Sequence, residues 1–128
     1  MEFFMKEEGF YGDLPYGRLD VSGKDGAGHR PYQLMVASIA VCSGGVLRKI
    51  LTKKRIDIED IKIQAEVDRA DGGTGKIERI HIHYIIRGRQ LDEIQIQKAV
   101  DVAAKNCPMA QSVAGSISIK ETFELISS

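Results

Sequence analysis

The sequence predicts an α+β fold in the order β-β-α-β-β-α-β, with the helices packed against an antiparallel sheet. Three observations carry this prediction. The run from Leu34 to Cys42 is apolar on every helical face, the mark of a helix buried all round. Ile61, Ile63, Ala65 and Val67 alternate with Asp60, Lys62, Gln64 and Glu66, the period-two pattern of a half-buried strand. Ile96, Ala99, Val100, Ala103 and Cys107 form a helical stripe that Pro108 interrupts, because the residue before a proline avoids the helical region.

The elements follow in order. Residues 2–11 and 16–22 read as short strands joined by the turn from Gly12 to Gly17, in which Pro15 presets φ. A glycine-rich stretch, Ser22 to Gly28, leads to Pro31, which suits the first turn of a helix running from Tyr32 to about Arg55. Gly44 and Gly45 each cost that helix about 1 kcal/mol relative to alanine, and close approach of another helix is the expected compensation. Ala70-Asp71-Gly72-Gly73-Thr74-Gly75 marks a hairpin; the overlapping stretch from Asp68 to Thr74 has residues that suit calcium but not the spacing, and reads as a turn. The returning strand turns Ile80, Ile82, Tyr84 and Ile86 inward. A second helix spans about Leu91 to Asn106, and a final strand, Ile117 to Leu125, alternates Ile117, Ile119, Phe123 and Leu125 inward. Glu121 shares that inward parity, as a buried carboxylate would.

The chain has 128 residues and suits a single domain over 1–128. Lysine plus arginine equals aspartate plus glutamate, for zero net charge, which argues against nucleic acid as the partner. The cluster Arg48, Lys49, Lys53, Lys54 and Arg55 falls at a helix C-terminus, where cations complement the helix dipole. The acidic N-terminus lacks the pattern of a signal peptide, and the apolar run from Leu34 to Leu47 is short for a membrane span. The expected setting is the reducing cytoplasm, without membrane association, where two cysteines do not rest as a structural disulfide.

Those cysteines carry the chemistry. Cys42 lies in the most apolar helix, where a free cysteine ordinarily serves as a small core side chain. Cys107 precedes Pro108 and so can cap a short helix, where backbone N–H groups favour thiolate. If the two helices pack together, the sulfurs meet. One thiol could then attack a peroxide and become a sulfenic acid, and the other could condense with it. His81-x-His83 has a spacing that metal sites use, yet Arg79 and Arg87 share its face and no third ligand is evident, so the reading is a polar, solvent-facing strand. His29 reads as a loop residue. No metal and no bound organic cofactor are expected.

The run from Arg30-Pro31-Tyr32-Gln33-Leu34 through Ala37 to Cys42 resembles the first motif of the OsmC-like superfamily, and Asn106-Cys107-Pro108 its second. The resemblance covers nearly the whole chain. It implies antiparallel sheets wrapped around a long central helix, in an intertwined homodimer with sites at the interface. It further implies reduction of organic hydroperoxides, with Cys42 peroxidatic, Cys107 resolving, and an external thiol as reductant. The expected substrate pocket is apolar and includes Tyr32, Met35, Ser38 and Ile39. In the family's hydroperoxide reductases a glutamate after the helix-starting proline pairs with a loop arginine. Here Tyr32 takes the glutamate's place and Ser22 falls near the arginine's, leaving Arg30 and Arg18 as the candidate cations. This departure points to a less characterised branch. It also favours the alternative of a non-catalytic member that binds a small apolar ligand.

Overall fold

The computed structural model describes all residues from Met1 to Ser128. The chain divides into two compact units, Met1–Met35 and Val36–Ser128.

The first unit holds a three-stranded antiparallel meander of β1 (Phe4–Met5), β2 (Phe10–Leu14) and β3 (Gly17–Val21). The first predicted strand is therefore two. Lys6 N–H donates to Gly9 O at 3.0 Å, closing a turn, and Gly9 sits at φ 98°, a conformation costly for residues with a Cβ. Leu14 pairs with Gly17 across Pro15-Tyr16, so the hairpin is tighter than the sequence suggested. Charge pairing ties the loops to the meander. Lys6 Nζ reaches Asp20 Oδ2 and Ala27 O, both at 2.6 Å, and Arg18 Nε reaches Asp20 Oδ1 at 2.7 Å. Arg18 and then Lys6 hold the Asp20 carboxyl well below the usual carboxylate range.

Helix α1 runs from Pro31 to Lys53. Arg30 precedes it, and the Gln33 side chain reaches back to accept the Arg30 N–H at 3.0 Å, one arm of a capping box. By length and composition α1 could cross a membrane, but Ile39, Ala40, Ser43, Gly44, Leu47 and Leu51 are buried as in a core helix. It is not buried all round in the single chain, as the sequence suggested, for Val41 is 65% exposed.

In the second unit β4 (Ile58–Arg69), β5 (Ile77–Gly88) and β6 (Ser118–Ser127) form one sheet in that order. β4 and β5 are an antiparallel hairpin whose inward residues pair Ile61 with Ile86, Ile63 with Tyr84 and Val67 with Ile80. β5 and β6 are parallel, which corrects the expectation of a wholly antiparallel sheet. Alternation has the same period in both arrangements, so it could not distinguish them. What decides is the connection: α2 (Glu93–Asn106) and α3 (Pro108–Ser112) carry the chain back before β6 starts, as a parallel crossover requires. Asp92 caps α2, its side chain accepting the Ile94 N–H at 2.9 Å.

The core joins Ile39, Leu47 and Leu51 of α1 to Ile80, Ile82, Tyr84 and Ile86 of β5 and to Ile96, Ala99, Val100 and Ala103 of α2. Gly44 is explained here, though not by another helix. A Cβ at Gly44 would collide with Ile63 Cδ1 of β4, so the missing side chain lets α1 approach the sheet closely. A Cβ at Gly45 would meet only open space.

Candidate active site around two cysteines

Cys107 ends α2 and caps α3, with φ −79° and ψ 113° and with Pro108 in the first turn that follows. Its Sγ accepts the Ala110 N–H at 3.4 Å and lies 3.9 Å from Ile39 O of α1, toward which the thiol donates. The cap is as the sequence predicted, but its electrostatic consequence is not. Cys107 is fully buried, and burial pushes its thiol pKa up; the neighbouring Cys42 thiol pushes the same way. The Ala110 and Met109 N–H groups pull it down by less. Desolvation thus outweighs the helix cap, and Cys107 is a thiol where the sequence suggested a thiolate.

Cys42 is half-buried against the core, and both cysteines are free. The two helices bring Cys42 near enough to Cys107 to raise its thiol pKa.

A polar cluster lies on the same side of α1. Ser43 and Tyr84 are fully buried. The Ser43 and Tyr84 hydroxyls both donate to Glu121 Oε1, at 2.6 and 2.5 Å, and their oxygens are 2.9 Å apart. Burial, then the bond to Glu121, pushes the Tyr84 phenol pKa up, and Cys107 lies within electrostatic reach of it. Sequence reasoning placed Glu121 on the inward parity but overlooked Ser43 and the Tyr84 hydroxyl. The available signal was three polar side chains on otherwise apolar inward faces.

The remaining expected residues fall as follows. Ile39 is buried in the core and contributes its carbonyl to Cys107, whereas Ser38 is exposed. In the first unit Arg30 pairs with Asp25 at 3.1 Å and stands over the Tyr32 ring at 5.5 Å. Arg18 pairs with Asp20 and stacks on Tyr11 at 4.1 Å. Met35 is 44% exposed. His81 Nε2 and His83 Nδ1 both bond Thr122 Oγ1 at 2.7 Å. No three His, Cys, Asp or Glu side chains converge as a metal site would need. A hollow of about 750 Å³ in the second unit runs between α1 and β4 past Val41, Gly45, Arg48 and Ile61, and neither cysteine lines it.

The model of the OsmC-like protein family matches residues 23–122, a stretch that includes both cysteines and Glu121. The chain belongs to the OsmC-like family. It is 26% identical over 97 residues to Protein YhfA of Escherichia coli K12, covering 75% of this chain and 72% of that protein. It is likewise 26% identical over 107 residues to an organic hydroperoxide resistance protein of Xanthomonas axonopodis pv. citri, covering 81% and 72%. A hypothetical protein from Aquifex aeolicus has the same fold, with a TM-score of 0.88 at 27% identity over 99% of this chain and 95% of that one. This OsmC-like chain thus has relatives both among hydroperoxide resistance proteins and in a branch named only by its gene.

Proposed function

We propose that this protein reduces organic hydroperoxides through Cys42 and Cys107. One observation carries the reading: a half-buried cysteine neighbours a second cysteine that is fully buried and whose thiol pKa is raised. The Cys42 thiolate attacks the outer peroxide oxygen. An S–O bond forms and the O–O bond breaks; the alkoxide leaves and takes up a proton, so the hydroperoxide becomes an alcohol while Cys42 becomes a sulfenic acid. Cys107 then attacks the Cys42 sulfur, its thiol proton leaves with the hydroxyl as water, and a disulfide remains. An external dithiol restores both thiols by exchange. The sequence needs no metal or organic cofactor. The apolar residues packed around Cys42 suit an alkyl hydroperoxide better than hydrogen peroxide, and the Xanthomonas relative's name supports the same class.

The Cys107→Ser variant tests the division of labour. It is expected to consume about two equivalents of hydroperoxide and then stall, the first converting Cys42 to the sulfenic acid and the second to the sulfinic acid, so that the intact mass gains two oxygens. Sustained turnover with an unmodified Cys42 would sink the resolving role.

The working form we propose is a homodimer in the cytoplasm. Its support lies in the apolar side chains that the single chain leaves in water: Val41 on α1, and Phe3, Phe4, Met5 and Phe10 in the first unit. Light scattering is expected to give about twice the chain mass of 14.2 kDa. Val41→Glu, which places a charge on the outward face of α1, is expected to return the single-chain mass. A wild type of single-chain mass would contradict the dimer.

A further inference from the structure

Nothing in the chain's own packing requires a glycine at position 45. Glycine is unfavourable inside a helix, and the close approach of Ile63 accounts for Gly44, but a Cβ at Gly45 would meet nothing. Its place on α1 supplies a reason. Gly45 follows Cys42 by three residues, so the two are neighbours on the helix surface. Helical side chains lean toward the N-terminus, so one at position 45 would lie over the turn that holds Val41 and Cys42. Cys42 stands at the border of the core. Ile39 and Val46 flank it on the packed side, and Ser38 and Gly45, both exposed, flank it on the other. The bare glycine leaves the outer side of Cys42 uncovered. Cys107 is the opposite case, fully buried between Ile39 O of α1 at 3.9 Å and the Ala110 N–H at 3.4 Å.

When the two cysteines are joined, an external thiolate can attack either sulfur, and two effects compete. Burial raises the Cys107 thiol pKa, which makes Cys107 the poorer leaving group and slows attack on Cys42. A sulfur with no exposed surface, however, cannot be reached at all, and the Ala110 N–H already bonds the sulfur that would depart. Access decides. We propose that the reductant attacks Cys42, through the gap that Gly45 leaves, with Cys107 as the leaving sulfur. The reductant's sulfur bonds to Cys42 and the Cys42–Cys107 bond breaks. Its electron pair goes to Cys107, which takes up the proton that the incoming thiol has shed. A second reductant thiol then displaces Cys42 and leaves as the reductant's own disulfide. This assignment rests on the redox-pair reading above.

The test forms the disulfide with diamide and so needs no hydroperoxide. Oxidised full-length protein is mixed with excess reduced glutathione, quenched in acid at early times and digested with pepsin, and the adduct is located by mass. Glutathione is expected on Cys42, with Cys107 free; glutathione on Cys107 would overturn the proposal. Gly45→Leu, whose added Cβ meets nothing in the chain, is expected to slow the exchange by about tenfold or more. Gly45→Ala, too small to cover Cys42, is expected to exchange near the wild-type rate. An unslowed G45L would overturn the role of Gly45. So would a G45L whose mass by light scattering is half that of the wild type, since Gly45 would then be a seat for the partner chain. Failure of diamide to join Cys42 to Cys107 would overturn this proposal and the redox-pair reading together. A disulfide that forms with diamide but not with cumene hydroperoxide retires the peroxidase reading alone. Peroxide turnover with glutathione on Cys107 retires this proposal alone.

Discussion

Cys42→Ser is expected to lower hydroperoxide consumption by on the order of 10³-fold or more while leaving the fold intact. A serine hydroxyl is almost fully protonated near neutral pH and is a far weaker nucleophile toward a peroxide oxygen than a thiolate. No other free thiol can replace it, because Cys107 is fully buried and burial keeps it protonated. The fold should tolerate the change, since Cys42 is only half-buried and packs at the margin of the core. The check is consumption of cumene hydroperoxide with a dithiol present, alongside thermal melting of the same sample. A variant that keeps full activity would remove Cys42 from the chemistry.

The largest effect on stability is expected from Leu47→Ala, at about 2–5 kcal/mol, or a fall in melting temperature of about 10 °C. Leu47 and Leu51 are fully buried and follow one another by a helical turn on the α1 face that enters the core. The gap left by Leu47 cannot close easily, because Gly44 already brings α1 against Ile63 of β4 and the helix has no room to move inward. Chemical denaturation would read the change. A loss below about 1 kcal/mol would mean that this face of α1 does not anchor the core.

These effects follow from patterns that the sequence displays openly. Period-two alternation located Ile80, Ile82, Tyr84 and Ile86, all of them buried, because side-chain direction in a strand is set by the backbone. The parity of Glu121 was legible for the same reason. The direction of β6 was not, since alternation is identical in parallel and antiparallel strands, and only the path through α2 and α3 fixes it. The exposed flank of α1 was misread because hydrophobicity records that a side chain avoids water, not whether its own chain or another one covers it. At the site, Cys107-Pro108 announced the cap and its φ/ψ. The protonation state went the other way, because it depends on how much protein surrounds the sulfur, which no local motif encodes. Ser43 and the Tyr84 hydroxyl were missed because their significance lies in meeting Glu121 across 78 and 37 residues of sequence.

Whether Cys42 and Cys107 act as one redox pair is read from a single oxidation. Purified, reduced protein is treated with one equivalent of cumene hydroperoxide, free thiols are counted, and the intact mass is recorded. Rapid loss of both thiols with a mass decrease of about two hydrogens is expected, as Cys42 and Cys107 form one disulfide. Two thiols that survive the treatment with the mass unchanged would contradict that pairing.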